Sequence, residues 1–267
     1  MKSIRSRDNP QIKALIKLAG SSRERRRTGT TILEGEHLVR AYQESGGTAE
    51  LIFTSETALA RPEIRKFFEN VPARSRLSLS DALLARVSQL VSSAGVAAVI
   101  RTPLPSPTPR SISSCLLLEN IQDPGNLGSI LRTAVAAGVS QVFLSKSSVF
   151  AWSPKVIRAG MGAHFSLAIF EDVDLGEIAR AFSGRIVATD PKAGSSLYEL
   201  DLKGPIAWLF GNEGSGLSPQ SRGLATDHVH IPMPGPAESL NVAAAAAICL
   251  FEQIRQQGRA QAASNSA

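Results

Sequence analysis

Apolar residues recur along this chain in two alternating spacings. PQIKALIKLAG (10–20) and SDALLARVSQL (80–90) place them three and four apart, the spacing of one helical face, and LVRAYQESG (38–46) reads the same way. Between these lie two β-prone runs, LIFT (51–54) and VAAVI (96–100). Beyond residue 110 the alternation strengthens. CLLLE (115–119), QVFLS (141–145), SLAIF (166–170), RIVAT (185–189), IAWLF (206–210) and the shorter HVHI (228–231) read as strands. Helical patterns surround Leu127–Ala137, Pro154–Met161, Asp174–Phe182 and Leu240–Gln257. This order predicts an α/β fold: a mostly parallel sheet with helices on both faces, preceded by a small α/β domain. Ligands in such sheets bind at the carboxyl ends of the strands, so the loops there carry the functional question.

Prolines mark the breaks. RTPLPSPTPR (101–110) has proline at every second position and no apolar anchors, and it reads as an extended linker. The organisation predicted is a small domain over 1–100, a linker over 101–111, a larger domain over 112–258 and a disordered tail over 259–267. A second proline run, IPMPGPAESLN (231–241), cannot lie inside a sheet, because Pro232, Pro234 and Pro236 donate no backbone hydrogen bonds. Ser239 stands where the N-cap of the following helix is expected, and Ala243–Ala247 give that helix a thin face.

Charge alters this picture at one end only. Residues 1–27 hold nine Lys or Arg against Asp8 and Glu24, a net of +7, whereas the whole chain carries +6. The basic end, with Arg23, Arg25, Arg26 and Arg27 at its close, is an electrostatic footprint for a polyanion. A mitochondrial presequence is the competing reading, and the two acidic residues weaken it. No run is long and apolar enough to cross a bilayer. Cys115 and Cys249 sit in apolar surroundings far from any C-x-x-C pattern and read as reduced core residues of a cytoplasmic protein. His228 and His230 share one face of a strand without a third ligand nearby, so no metal site is predicted.

Three loops remain. CLLLE runs into NIQDPGNLGSILRTAVAAG, where Asn126 is placed to cap a helix and Arg132 lies one turn beyond Gly128 on the same face. IAWLF runs into GNEGSGLS, which is neither a phosphate-cradling loop nor a dinucleotide fingerprint, and which lies late in the chain. Glu213 among its glycines reads as a carboxylate held in place. The third loop is the proline run.

Together the three segments resemble the motifs of the SpoU (TrmH) family of RNA ribose 2′-O-methyltransferases, within the SPOUT superfamily. Asn126, Gly128 and Arg132 match the first motif, Gly211, Glu213 and Gly216 the second, and Ile231-Pro232-Met233 with Ser239-Leu240-Asn241 the third. The resemblance covers about residues 112–256, while residues 1–100 are similar to the L30e-type substrate-binding domain that many members carry.

The resemblance implies a deep trefoil knot, a homodimer through the knot-domain helices, and a bent S-adenosylmethionine held by backbone near Thr189, Leu209, Gly211, Ile231, Met233 and Leu240. It implies methyl transfer to a ribose 2′-hydroxyl in structured RNA, ribosomal RNA in preference to transfer RNA. Arg132 would lie nearest that hydroxyl. A guanidinium almost never releases its proton, so Arg132 reads as well as a clamp on phosphate or developing alkoxide as it does as a base. Asn126 would orient the hydroxyl or Arg132, Glu213 would hold the site arginine or the cofactor loop, and Ser239 and Asn241 would fix ribose or phosphate. The basic arginines 23, 25, 26 and 27 would bind RNA. No metal and no membrane are implied. A non-catalytic RNA-binding member would lack Arg132 or Asn241, and a nucleotide-binding Rossmann enzyme would have its glycine loop after the first strand. This chain has neither departure.

Overall fold

Two sheets organise the chain, each in its own unit. The computed structural model describes residues 2–88, 95–104 and 111–264. The first unit comprises residues 1–103 together with 152–165, and the second residues 104–151 and 166–267.

The first unit is built on a five-stranded mixed sheet. Its strands are β1 (Lys2–Ile4), β2 (Thr30–Glu34), β3 (Leu51–Ser55), β4 (Arg76–Leu79) and β5 (Val96–Arg101), in the order β1-β4-β3-β5-β2. β5 runs antiparallel to both β2 and β3. The helices are α1 (Pro10–Gly20), α2 (Ser22–Thr28), α3 (Glu36–Glu44), α4 (Glu56–Leu59), α5 (Pro62–Glu69) and α6 (Asp81–Val87). Asn9 caps α1 by accepting from the Gln11 N–H at 2.9 Å, and Pro10 needs no donor at that position. Ile12, Leu15 and Leu18 then share one face and pack with Phe53, Leu77 and Leu79 of the sheet and Leu83 and Leu84 of α6. Residues 10–28 are therefore part of a folded core, which removes the ground for reading them as a presequence. Three of the five strands are absent from the sequence expectation. KSI, TTILE and RLSL are short and mix polar residues with aliphatics, and Thr31, Glu34 and Ser78 are buried all the same. Thr31, for example, donates to the Trp152 carbonyl at 2.7 Å, within the same unit. The expected linker is described only to residue 104. Residues 105–110, and 89–90 of the helix expected over 80–90, lie outside the described residues.

The second unit holds a seven-stranded sheet in which every paired strand is parallel. Its members are β6 (Cys115–Leu118), β7 (Gln141–Ser145), β8 (Ala168–Val173), β9 (Arg185–Thr189), β10 (Ser195–Ser196), β11 (Ile206–Phe210) and β12 (Asp227–His230). The order is β10-β12-β9-β11-β6-β7-β8. The helices that follow in the chain are α7 (Pro124–Ala136), α8 (Pro154–Gly160), α9 (Leu175–Ala181), α10 (Pro219–Arg222) and α11 (Val242–Ser264), of which α8 belongs to the first unit. β6 and β11 are buried at every position, as expected for central strands covered on both faces. On one side Leu117, Phe143, Ala188 and Leu209 pack with Leu175 of α9 and with Leu217. On the other, Trp208 donates through Nε1 to Gln253 of α11 at 2.8 Å, and α11 packs on α7.

Two expected helix starts are corrected. Asp123, not Asn126, caps α7, accepting from the Asn126 N–H at 2.8 Å, because Pro124 takes the first helical position. Asn241, not Ser239, caps α11, accepting from the Ala243 and Ala244 N–H groups at 2.9 and 3.3 Å. α11 also runs on to Ser264, so residues 259–264, expected to be disordered, continue the helix; Arg, Ala and Gln there are good helix formers. Residues 265–267 lie outside the described residues.

Candidate active site

The carboxyl ends of three neighbouring strands, β12, β9 and β11, open onto one cavity of about 390 Å³. Thr189 at the end of β9 lines it with Asp190 and Pro191, as do Gly211, Asn212, Glu213, Gly214, Gly216 and Leu217 after β11, and Ile231, Met233, Ser239, Leu240 and Asn241 after β12. Ala245 of α11 and Asn126 of α7 complete the wall. Gly211 is required where it stands, because a Cβ there would run into the backbone of Gly216 and Leu217. That close approach folds the loop back on itself, with Asn212 and Gly216 exchanging backbone hydrogen bonds at 3.1 and 3.0 Å. Asn212 secures the turn from within: its Oδ1 accepts from the N–H groups of Gly214 and Ser215, and its Nδ2 donates to the Asn120 carbonyl at 2.9 Å.

A chain of side chains joins all three segments. The Glu213 carboxylate accepts from the Asp123 and Gln122 N–H groups at 3.1 and 3.3 Å and from Asn126 Nδ2 at 3.1 Å. Asn126 Oδ1 accepts from Asn241 Nδ2 at 2.8 Å, and Asn241 Oδ1 caps α11. The amide orientations follow from the ends. A carboxylate only accepts, so Asn126 must offer it nitrogen; backbone N–H groups only donate, so Asn241 must offer them oxygen. Burial pushes the Glu213 carboxyl up, but donation from Asn126, from its own backbone and from Asp123 and Gln122 outweighs it and holds the group below the usual carboxylate range.

Nine of the expected site residues come together here: Asn126, Thr189, Gly211, Glu213, Ile231, Met233, Ser239, Leu240 and Asn241 all line the cavity. Two do not. Leu209 is fully buried inside β11 among the core aliphatics and does not reach the cavity. Arg132 is exposed on α7 and makes no hydrogen bond or ion pair among the described residues, so Glu213 holds Asn126 rather than an arginine. Gly128, expected to leave an open face below Arg132, is itself buried.

The basic end is also corrected. Arg25 is only 4% exposed, and its guanidinium donates to the Leu18 and Ala19 carbonyls at 2.7 and 2.8 Å. It caps the last turn of α1 and is not available to RNA. Arg27 is exposed but tied to Glu24 at 3.1 Å through Nε. Arg23 and Arg26 are exposed on α2.

Sequence reasoning missed Asn212, Asp190, His230 and Glu119. Asn212 was legible as an Asn two residues before a glycine, the local pattern of a side chain closing its own turn. Glu119, a carboxylate ending an apolar strand, accepts from the Ser218 N–H, Ser218 Oγ and Ser221 Oγ at 2.8, 2.7 and 2.6 Å and so anchors the far end of the glycine loop.

The cavity fits S-adenosylmethionine. Its volume lies in the range of small-molecule sites, and it joins an apolar wall (Leu217, Ile231, Met233, Leu240) to a few fixed polar groups. His230, on its lining, carries a buried Nδ1 with no partner among the described residues, a polar atom that a bound molecule can satisfy.

Comparison with known proteins agrees with this geometry. Residues 113–251 match the model of the SpoU rRNA Methylase family, and residues 9–98 that of the MRM3-like substrate binding domain. The chain is 36% identical to an uncharacterized tRNA/rRNA methyltransferase of Synechocystis, covering 96% of this chain and 94% of that protein. It is 30% identical to the 23S rRNA (guanosine(2553)-2′-O)-methyltransferase RlmP of Bacillus subtilis, covering 94% and 98%. Among solved structures it is similar to the SpoU methyltransferase AviRb of Streptomyces viridochromogenes in complex with AdoMet, at 27% identity and a TM-score of 0.84, over 93% of this chain and 98% of that one.

Proposed function

The chain belongs to the SpoU rRNA methylase family, and from that premise we propose that it transfers a methyl group from S-adenosylmethionine to a ribose 2′-hydroxyl of ribosomal RNA. The observation that carries the reading is the Glu213–Asn126–Asn241 chain, which ties the three loops around one cofactor-sized cavity.

Bound in that cavity, S-adenosylmethionine supplies a methyl group on a positively charged sulfur, ready for attack. Everything else falls to this chain. Backbone of Gly211, Ile231, Met233 and Leu240, with Thr189 beside them, holds the cofactor, and Leu217 excludes water from its apolar part. Asn126 is locked by Glu213 and Asn241 and can orient the incoming hydroxyl without reorganising. Ser239, exposed on the rim, takes the ribose or phosphate beside it. Arg132 makes no hydrogen bond or ion pair among the described residues; it grips RNA phosphate and steadies the alkoxide as charge develops on the 2′-oxygen. The threading of 231–241 into α11 is the part of the chain that would form the trefoil knot.

The remaining parts serve delivery. The first unit presents Arg23 and Arg26 to RNA and gives the protein its substrate-binding surface. Phe251 and Ile254, 50% and 37% exposed on α11 near the exposed Ala244, form an apolar stripe suited to a second copy of the chain. Both cysteines are free and buried, in keeping with a cytoplasmic enzyme.

The test is to map 2′-O-methyl positions in total RNA from cells with and without the gene. Loss of one ribosomal RNA methylation without the protein supports the reading; an identical map in both overturns it.

A further inference from the structure

A second recess lies against the cofactor cavity, and nothing above uses it. It measures about 630 Å³ and shares Gly216 and Leu217 with the first cavity as a common wall. It sits at the carboxyl ends of β6, β7 and β8, lined by the residues that follow each strand: Asn120, Lys146 and Asp174. In an open α/β sheet that edge is where ligands bind. The floor is aliphatic, from Val173, Leu175, Leu217 and Leu224, while the rim is polar. Asn120 holds a left-handed backbone (φ 54°), with its N–H donating to Ser145 Oγ at 2.8 Å, which keeps the mouth open between β6 and β7.

Two rim groups have unused capacity. Lys146 is exposed and makes no hydrogen bond or ion pair among the described residues. Asp174 uses Oδ1 to accept from the Gly176 N–H at 2.7 Å, and its Oδ2 has no partner among the described residues. Glu119, by contrast, is consumed by Ser218 and Ser221. A recess that combines an aliphatic patch with one free acceptor-only group and one ammonium does not suit a bare phosphate, which Asp174 would repel. It suits a nucleobase: apolar faces on the floor, an edge N–H toward Asp174, and the attached phosphate near Lys146.

Resting on the methyltransferase reading above, we propose that this recess receives an unstacked base of the RNA at the target site, and that Asp174 accepts from an N–H on the pairing edge of that base. Each base offers such a donor there, a ring N–H in guanine and uracil or an exocyclic amino group in guanine, adenine and cytosine, whereas a phosphate offers none. A base drawn out of its stack and lodged here stands one loop-width from the cofactor, across the Gly216–Leu217 wall.

The test uses the full-length protein, ribosomal RNA isolated from cells lacking the gene, and radiolabelled S-adenosylmethionine. Asp174→Asn is the informative variant. Asparagine caps a helix as well as aspartate, so the fold is kept, while the free oxygen becomes an amide that only donates. Thermal midpoint and cofactor affinity should match the parent, and kcat/KM for RNA should fall on the order of 10²-fold, because the N–H of the base now meets a donor. Lys146→Ala should raise KM for RNA about tenfold and shallow the salt dependence by about one phosphate contact, with kcat little changed. Lys203→Ala, an exposed charge at the opposite strand ends, is the control and should change nothing. An active parent whose Asp174→Asn and Lys146→Ala variants methylate as well as it does overturns the recess assignment alone. A parent that labels no RNA overturns the functional reading and the recess with it.

Discussion

Glu213 can only accept hydrogen bonds, and that single property orients two amides beyond it. Its sensitivity to acid follows. Its carboxyl lies below the usual range, so what it contributes is fully present above the ordinary carboxylate pKa of about 4.3 and is lost only as pH falls through the lowered folded value. The ratio of parental to Glu213→Gln cofactor affinity, measured by calorimetry, should stay constant from pH 8 down to the ordinary carboxylate pKa of about 4.3 and move toward one only as pH falls further, through the lowered folded value. A ratio that changes between pH 6 and 8 would mean another group governs the loop. Arg132 behaves differently, because it makes no hydrogen bond or ion pair among the described residues. Arg132→Ala should leave the thermal midpoint and cofactor affinity unchanged and cost methyl transfer on the order of 10²-fold or more. Arg132→Lys separates two roles: a variant inactive at every pH favours a bidentate grip on phosphate, whereas activity that recovers as pH rises favours proton removal. An alanine variant with normal turnover would place the catalytic centre elsewhere.

Elements explain why some residues with the same chemistry do different work. Of the four arginines of α2, only Arg25 turns inward, where it satisfies two carbonyls at the end of α1. Arg25→Ala should therefore destabilise the first unit by about 2 kcal/mol, the scale of losing charged hydrogen bonds to buried acceptors. Arg23→Glu with Arg26→Glu should shift stability by less than about 0.5 kcal/mol while weakening RNA binding and its salt dependence. Denaturant titration and filter binding on the two variants check this, and equal destabilisation by both would contradict it. The three site loops were legible in the sequence because their glycines, prolines and asparagines are demanded locally, by turns and close backbone approach, as at Gly211. The helix caps were misread by two or three residues because Asp123 and Asn241 compete with equally plausible neighbours, and only the position of Pro124 and the partners of Asn126 decide. Strands β1, β2 and β4 were not legible at all. All three are short and mix polar residues with aliphatics, which blurs the alternation, and what satisfies the buried Thr31 is the Trp152 carbonyl, more than a hundred residues away.

At the scale of the whole molecule, the outer stripe of α11 and the cofactor cavity make separate demands. Phe251→Glu should convert a dimer to a monomer in light scattering after size exclusion without unfolding it, since Phe251 is half exposed within one chain. A parent that is already monomeric would remove the stripe from the account. Cofactor binding should stabilise the second unit by mass action, about 2.7 kcal/mol at a hundredfold excess over Kd. The central claim, that the three loops hold a methyl donor against a ribose, is tested most directly by where the methyl group goes. Purified protein, radiolabelled S-adenosylmethionine and ribosomal RNA from cells lacking the gene would be combined, and the RNA digested to nucleosides. The account predicts all label in one 2′-O-methylnucleoside, incorporated on the order of 10²-fold or more slowly with Arg132→Ala. Label on a base, or none from the parent protein, would contradict it.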